Sequence, residues 1–332
     1  MAIAEGIKEK ICSEMSLFIT EMLKERALNN IKKNIKEVIF KRPTQVILET
    51  TNACNLNCPY CLVGMQNELT SKYGNAAHNL MSRPVGFMTE ETFDIVHRDL
   101  KSFGIKKVYL HFQGEPILNK LTPKFAVVLK KDGFKVGVFT NGQAFNDRNI
   151  AELAEAEIDL IRFSVDGASE ESYQKNRVGG RFEKVYENMK NISLAHRGKK
   201  TRLEWQFLVL KNNEHEIDIA KKLASEIDVH FFTKGYRESV TELAPQNPDY
   251  KAKYHIKPCK DIYHQIGIYW NGDVVPCCYD VDGKEIMGNL HEGSLEDIWN
   301  SEKYMNFRKR VDNFKRSPHV EPAICKNCLR WK

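Results

Sequence analysis

An α/β fold of parallel strands is predicted by two observations. Strand and helix patterns alternate six times between residues 44 and 237, and the strand segments are rich in Val, Ile, Phe and Tyr. Six successive βα units imply right-handed crossovers. A partial or complete barrel satisfies them, and so does an open doubly wound sheet. The rhythm stops at Ala244-Pro245-Gln246-Asn247-Pro248, which marks a second domain. With 332 residues, the chain has room for about two domains of roughly 150 residues.

The elements follow in order. Residues 6–40 carry Ile11, Met15, Phe18, Met22 and Leu23 at helical spacing, which predicts a helical extension packed on the next domain. Docking to a membrane surface is the weaker reading, because Glu5, Glu9, Glu14, Glu21 and Glu25 dilute the lysines. Strands are expected at 44–49, 107–113, 135–140, 159–165, 202–210 and 228–233. Phe93, Val96, Leu100 and Phe103 form one helix face after Thr89, a capping residue, and Gly104 supplies the stop. Phe182, Val185, Met189 and Ile192 repeat likewise, as do Ile217, Ala220, Leu223 and Ile227. The connection 61–88 is too long for an ordinary βα link and holds Gly64, Gly74, Pro84 and Gly86, so it reads as a functional or disordered loop. In the second domain, 265–270 and 273–276 flank Asn271-Gly272, a hairpin with a type I′ turn. The expected divisions are 1–42, 43–243 and 244–332.

Composition narrows the class. Hydrophobic residues at 42% and charged residues at 28% exclude a disordered tail, a collagen-like repeat and a membrane-embedded chain. The formal charge of +6 permits an anionic substrate without demanding nucleic acid. No stretch approaches the roughly 18 apolar residues of a membrane span, and the N-terminus lacks a secretion signal. The nine cysteines are therefore expected to be reduced, in a cytoplasmic protein, and clusters of reduced cysteines point to metal.

Cys54-Asn55-Leu56-Asn57-Cys58-Pro59-Tyr60-Cys61 follows the first strand directly. Three thiolates can hold three corners of a cubane iron–sulfur cluster and leave the fourth iron open. A structural zinc site needs a fourth ligand nearby, and none is visible. The spacing C-x3-C-x2-C, with Tyr60 before the last cysteine, resembles the signature of the radical S-adenosylmethionine (SAM) enzymes. Companion segments match in order. Gly114-Glu115-Pro116 resembles the family segment that binds the SAM amino group, with Gln113 where a first glycine is common. Thr140-Asn141-Gly142 follows the third strand, Ser164-Val165-Asp166-Gly167 resembles the ribose-side segment, and Arg177 lies where relatives often carry a basic residue for the SAM carboxylate. The resemblance implies a partial (β/α)6 TIM-like barrel, a SAM-binding [4Fe–4S] cluster on Cys54, Cys58 and Cys61, and SAM as cofactor. It also implies reductive cleavage to methionine and a 5′-deoxyadenosyl radical that abstracts hydrogen from substrate, fed by a flavodoxin- or ferredoxin-type donor.

Cys259, Cys277, Cys325 and Cys328 form a second set, with Cys278 beside the second. Their spacing suits either a fully ligated cluster or a zinc ribbon. The pattern C-x12-G-x4-C from Cys259 through Gly272 to Cys277, then Gly288-Asn289-Leu290 and Ile298-Trp299, resembles the SPASM domain of radical SAM enzymes. The chain ends four residues after Cys328, which resembles the shortened, single-cluster twitch form. C-x17-C followed by a distant C-x2-C resembles the 2-deoxy-scyllo-inosamine dehydrogenase type. That implies an auxiliary [4Fe–4S] cluster on these four cysteines.

The expectation is an oxidoreductase of a small polar substrate, a carbohydrate or aminocyclitol, in which a secondary alcohol is oxidised and the auxiliary cluster accepts the electron. Arg162, Lys234, Arg237, His111 and Glu204 are candidate bases. Cys278 opens an alternative, donating hydrogen to a substrate radical in an epimerisation. Peptide modification is a further alternative, against which the short helical N-terminus counts. A non-catalytic cluster- or zinc-binding redox sensor is the reading of another class. Cys12 is expected to serve packing.

Overall fold

A computed structural model describes residues 21–25, 42–74, 80–236, 241–251, 259–313, 323–325 and 328. The chain divides into two compact units between Arg42 and Pro43. In the first unit residues 21–25 are helical; the rest of the expected extension, with Cys12, lies outside the described residues.

The second unit is built on one nine-stranded sheet: β1 (Gln45–Leu48), β2 (Lys107–Leu110), β3 (Lys135–Thr140), β4 (Leu160–Ser164), β5 (Arg202–Val209), β6 (His230–Gly235), β7 (Gln265–Ile268), β8 (Asp273–Val275) and β9 (Gly288–Asn289). The spatial order is β6-β5-β4-β3-β2-β1-β7-β8-β9. β1 to β6 pair in parallel with their sequence neighbours, and β7 pairs in parallel with the free side of β1. β8 and β9 then continue as an antiparallel meander. Strands 1 to 6 run in sequence without the reversal that a doubly wound sheet requires, and β6 stays at an edge, so the barrel is partial.

Alternation along each strand decides what faces what. Val46, Leu48, Val108, Leu110, Val136, Val138, Ile161 and Phe163 are buried against the helical layer. Each such side chain contributes roughly 1.5–3 kcal/mol of burial. The other parity, including Glu49, Tyr109, Phe139, Arg162 and Glu204, faces the opposite, inner side.

The helices are α1 (Leu62–Tyr73), α2 (Glu90–Phe103), α3 (Thr122–Lys131), α4 (Asp147–Glu155), α5 (Glu170–Asn176), α6 (Phe182–Ala195), α7 (Ile217–Glu226), α8 (Asp261–His264), α9 (Leu295–Asn300) and α10 (Glu302–Asn313). α2 has the expected ends: Thr89 Oγ1 accepts from the Thr92 amide at 3.1 Å, and Gly104 at φ +77° stops it. No helix among the described residues is long and apolar enough to cross a membrane.

Two expectations fail. The connection 61–88 is not a plain loop, because α1 occupies its first half. The hairpin turn is also one residue longer than expected. The Tyr269 amide donates to the Asp273 carbonyl at 2.9 Å and the Gly272 amide to the Tyr269 carbonyl at 3.0 Å, so Trp270-Asn271-Gly272 form the loop. Only Gly272 has positive φ, +87°, whereas a type I′ turn requires it at both central residues.

Candidate active site

The cysteine segment leaves the C-terminal end of β1 and is held by backbone accounting. The Cys61 amide donates to the Cys58 carbonyl at 3.1 Å, and the Asn57 amide to the Val178 carbonyl at 2.8 Å. Asn67 Nδ2, one turn into α1, donates to the carbonyls of Cys54 at 3.0 Å and Leu56 at 3.1 Å. Gly64 lets α1 lie directly on the loop, since a Cβ there would stand 2.4 Å from the Cys58 amide nitrogen. Burial, with Glu115 adding, pushes the Cys54 thiol up to about 12. Burial likewise pushes Cys58 up to about 11, with the Arg177 guanidinium opposing it. These groups are therefore protonated thiols until a metal centre takes the place of the proton.

The residues present fit an iron–sulfur cluster. The donor atoms are all soft sulfur, and amide or guanidinium nitrogens face them: Asn141 Nδ2 lies 3.9 Å from Cys54 Sγ and Arg177 Nη1 3.9 Å from Cys58 Sγ. Among the described residues no three Cys, His, Asp or Glu side chains converge on a single ion. A cubane does not require such convergence, because each cysteine ligates its own iron.

The companion segments brace this loop. Gly114, at φ +77°, lies against the Asn52–Ala53 backbone so closely that a Cβ would meet the Ala53 oxygen at 2.5 Å, and the Glu115 amide donates to that same oxygen at 2.8 Å. The Glu115 carboxylate is buried and accepts from Thr140 Oγ1 at 2.7 Å, the Asn141 amide at 2.6 Å and the Ile117 amide at 3.1 Å. Burial raises its pKa against the pull of those donors. Pro116 begins a short 3-10 turn, and the Gln113 amide approaches Glu49 Oε2 at 3.4 Å. Asn141 Nδ2 also donates to Asn55 Oδ1 at 2.9 Å. Asp166, fully buried, accepts from Tyr60 at 2.6 Å and from Arg177 Nε at 2.8 Å on one oxygen, and from the Leu208 amide at 2.8 Å on the other. Burial opposes the Arg177 charge, but Asp166, Tyr60 and Cys58 more than offset it and raise its pKa. Ser164 stands half-buried at the end of β4.

On the inner side of the sheet, His111 stacks on Phe139 with ring centroids 4.2 Å apart, and the Arg162 guanidinium covers the same ring at 4.4 Å. Arg162 Nε donates to Glu204 Oε2 at 2.6 Å, and Arg202 takes the other oxygen at 2.6 Å. Burial, then Lys234 and Arg162, lower the His111 pKa to about 3, so its imidazole is neutral at physiological pH. Arg237 lies outside the described residues.

The second cysteine set is only partly gathered within the described residues. Cys277 lies in the electrostatic field of both Cys278 and Cys259, and its thiol is raised first by the hydrogen bond with Cys278 and then by burial. Gln265 Nε2 donates to Cys278 Sγ at 3.4 Å and the Tyr279 amide to Cys277 Sγ at 3.4 Å. Cys325 and Cys328 are buried and joined by a Cys328 amide bond to the Cys325 carbonyl at 3.0 Å. Gln265 pairs with Gln45 at the N-terminal end of β1, whereas Cys54 follows its C-terminal end. The first thiol set and Cys277-Cys278 thus sit toward opposite ends of a four-residue strand, about 13 Å long at 3.3 Å per residue.

Spacing in the sequence did not reveal the pair Arg83–Glu49. Arg83 donates to both oxygens of the buried Glu49, at 2.8 and 2.9 Å, and stacks over the Tyr269 ring at 3.6 Å. This ties the 80–88 segment to β1 and β7 beside a cavity of about 910 Å³ whose lining includes Asn52, Cys54, Asn67 and Arg83. The one available signal was the excess length of the 61–88 connection.

Comparison with known proteins agrees with this layout. Residues 48–203 match the radical SAM superfamily and residues 259–329 match the SPASM iron–sulfur cluster-binding domain. The chain is similar to the S-adenosyl-L-methionine-dependent 2-deoxy-scyllo-inosamine dehydrogenase of Niallia circulans, 23% identical over 288 residues, covering 86% of this chain and 92% of that protein. It is also similar to the PqqA peptide cyclase of Xanthomonas euvesicatoria pv. vesicatoria, 25% identical over 327 residues, covering 86% and 80%. The fold resembles that of Streptococcus suis SuiB bound to S-adenosylmethionine, with a TM-score of 0.67 at 17% identity over 92% of this chain and 77% of that one. The chain belongs to the radical SAM superfamily: it is an enzyme with a SAM-binding [4Fe–4S] cluster in its barrel and a SPASM domain carrying auxiliary iron–sulfur chemistry.

Proposed function

We propose that the protein is an oxidoreductase of a small polar metabolite, a carbohydrate or aminocyclitol, and converts a secondary alcohol to a ketone. When bound, the two clusters and SAM supply a hydrogen-abstracting radical and an acceptor for the electron left on substrate. Cys54, Cys58 and Cys61 hold the SAM-side cluster, and Cys259, Cys277, Cys325 and Cys328 hold the auxiliary one. Asn141 and Arg177 donate toward the first set of sulfurs. Glu115 fixes the Gly114–Pro116 and Thr140–Asn141 segments on the cysteine loop, and Ser164 and Gln113 border the space for SAM. The barrel and cluster domains are kept at 43–243 and 244–332, after the extension 1–42. A cytoplasmic location and a flavodoxin- or ferredoxin-type donor belong to the same reading.

The observation that carries this reading is that thiols at both ends of β1 bracket the polar inner face. A substrate seated there would have a hydrogen-abstracting group on one side and an electron acceptor on the other. Among the candidate bases, Glu204 is occupied by two arginines, and Arg162 and Lys234 are cations. Neutral His111 remains as a hydrogen-bond acceptor for a substrate hydroxyl, although its low basicity makes it an orienting group rather than a lasting proton store. The near full-length similarity to an aminocyclitol dehydrogenase supports the same substrate class.

The position of Cys278 favours a second reading, epimerisation, because its thiol accepts from Gln265, whose side chain in turn accepts from Gln45 at the start of β1. Peptide modification is the third, supported by the similarity to a peptide cyclase. The anaerobic, reconstituted and reduced enzyme should be incubated with SAM and a panel of aminocyclitols and sugars in heavy water. The proposal expects methionine, 5′-deoxyadenosine and a product lighter by two hydrogens. A product of unchanged connectivity carrying one deuterium indicates epimerisation, and modification of peptides alone contradicts the sugar assignment.

A further inference from the structure

The C-terminal helix α10 carries three buried polar atoms for which the described residues offer no well-formed hydrogen bond. Tyr304 and Arg308, four residues apart, share one helix face. The Arg308 guanidinium packs against two neighbouring rings, 3.8 Å from the centroid of Trp299 and 4.0 Å from that of Tyr304, whose own centroids are 4.8 Å apart. Tyr304 is completely buried. Its hydroxyl and Arg308 Nε and Nη2 are all shielded from solvent; hydroxyl and guanidinium interact with each other, but none of the three atoms makes a hydrogen bond of good geometry among the described residues. Two buried guanidinium nitrogens without an acceptor are costly, and the aromatic faces compensate only part of that cost. Such a cation calls for an anion.

The cysteines nearby supply the identity of that anion. Tyr304 lies in the field of Cys277, and Arg308 in that of Tyr263, which is on α8, the helix that starts two residues after Cys259. The Tyr304 hydroxyl thus interacts with Cys277, and Arg308 beside it with the helix that follows Cys259. A cubane cluster held by four thiolates is anionic overall and presents sulfur acceptors on every side.

We infer that Tyr304 and Arg308 donate hydrogen bonds to the auxiliary cluster and set its reduction potential. This rests on the reading that Cys259 and Cys277 hold that cluster. Net charge and hydrogen bonds to sulfur are the protein's levers on such a potential. A cation and a hydroxyl donor stabilise the more negative, reduced state, so both residues raise the potential and make the cluster a better electron acceptor.

The test uses the full chain with Cys54→Ala, Cys58→Ala and Cys61→Ala, which leaves one cluster to observe. A redox titration followed by electron paramagnetic resonance compares Arg308 with Arg308→Lys and Arg308→Met. The Met variant is expected to need a potential lower by about 59 mV, a tenfold change in the one-electron equilibrium. The Lys variant keeps most of the wild-type value, which a purely structural role for the side chain would not predict. If Arg308→Met does not fold, Tyr304→Phe decides, with a smaller shift of the same sign expected. An intact cluster whose potential is unmoved by the Met or Phe change overturns the inference alone. Absence of any cluster in the triple-cysteine variant overturns the ligand reading on which it rests, and the inference with it.

Discussion

Replacing Gly64 with Ala tests whether the packing of α1 on the cysteine loop sets the geometry of the SAM-side cluster. The new Cβ would stand 2.4 Å from the Cys58 nitrogen, 2.5 Å from its oxygen and 2.9 Å from the Asn57 carbonyl carbon. All three are backbone atoms, so no side chain can swing away. Restoring an ordinary carbon contact of roughly 3.5 Å requires helix and loop to separate by about 1 Å. Overpacking of this kind costs about 1–3 kcal/mol, while the helix gains about 1 kcal/mol from Ala over Gly. Global stability should therefore change by no more than about 2 kcal/mol. Function should suffer more, because a misplacement of about 1 Å can cost roughly 10²-fold in rate. The assay is iron content and reductive SAM cleavage after anaerobic reconstitution, with denaturant unfolding as the stability check. Gly293→Ala is the control, since nothing lies within 4 Å of its Cβ position. Gly64→Ala that cleaves SAM at the wild-type rate refutes the reasoning.

Three other changes probe the site. Asp166→Ala removes the partner of a nearly buried Arg177 and is expected to destabilise by about 3–5 kcal/mol in denaturant unfolding, whereas joint Asp166→Leu and Arg177→Met recovers only the part due to the unpaired charge, because the Tyr60 hydroxyl and the Leu208 amide still lose their acceptor; an Asp166→Ala cost under about 1 kcal/mol contradicts the pairing. His111 is already neutral well below its ordinary 6.5, because its pKa is lowered to about 3, so the rate should show no imidazole limb between about pH 5 and 8. His111→Gln should keep most activity and His111→Leu lose roughly 10–100-fold, the worth of about 1.4–2.8 kcal/mol of hydrogen bonding. A limb near pH 6.5 that vanishes in His111→Gln would show that the ring titrates during turnover. Cys278→Ala should leave iron content and dehydrogenation intact while abolishing any deuterium incorporation from heavy water; loss of the auxiliary cluster instead would make Cys278 a ligand.

Much of the fold was legible because it is local. Thr89 and Gly104 bracket α2 by capping chemistry that acts within a few residues, and the alternation of Val136, Val138, Ile161 and Phe163 declares a sheet with one face under helices. The C-x3-C-x2-C loop was legible because three thiols suited to one centre lie within eight residues. What escaped depends on contacts distant in sequence. The pairing of β7 with β1 joins Gln45 to Gln265, and nothing in either short segment specifies the other. Arg83 finds Glu49 across 34 residues, and Asp282 accepts from the Ser82 amide at 2.6 Å across 200. The hairpin turn was misread because Asn-Gly marks a tight turn in general, while the Tyr269–Asp273 register fixed a three-residue loop. Arg308 drew no notice because a lone arginine on a polar helix ordinarily faces solvent; only the rings of Trp299 and Tyr304 reveal that it does not.

The central claim is that one barrel end activates SAM while a second cluster, at the other end of β1, serves the substrate. Anaerobic reconstitution with iron counting, followed by electron paramagnetic resonance with and without SAM, tests it most directly. The account predicts about eight irons per wild-type chain, two four-iron clusters, one of whose signals shifts when SAM is added. The Cys54→Ala, Cys58→Ala, Cys61→Ala chain should keep about four irons and show no response to SAM. A wild-type chain that binds zinc at Cys259 and Cys277, or in which the SAM response survives loss of those three cysteines, contradicts it.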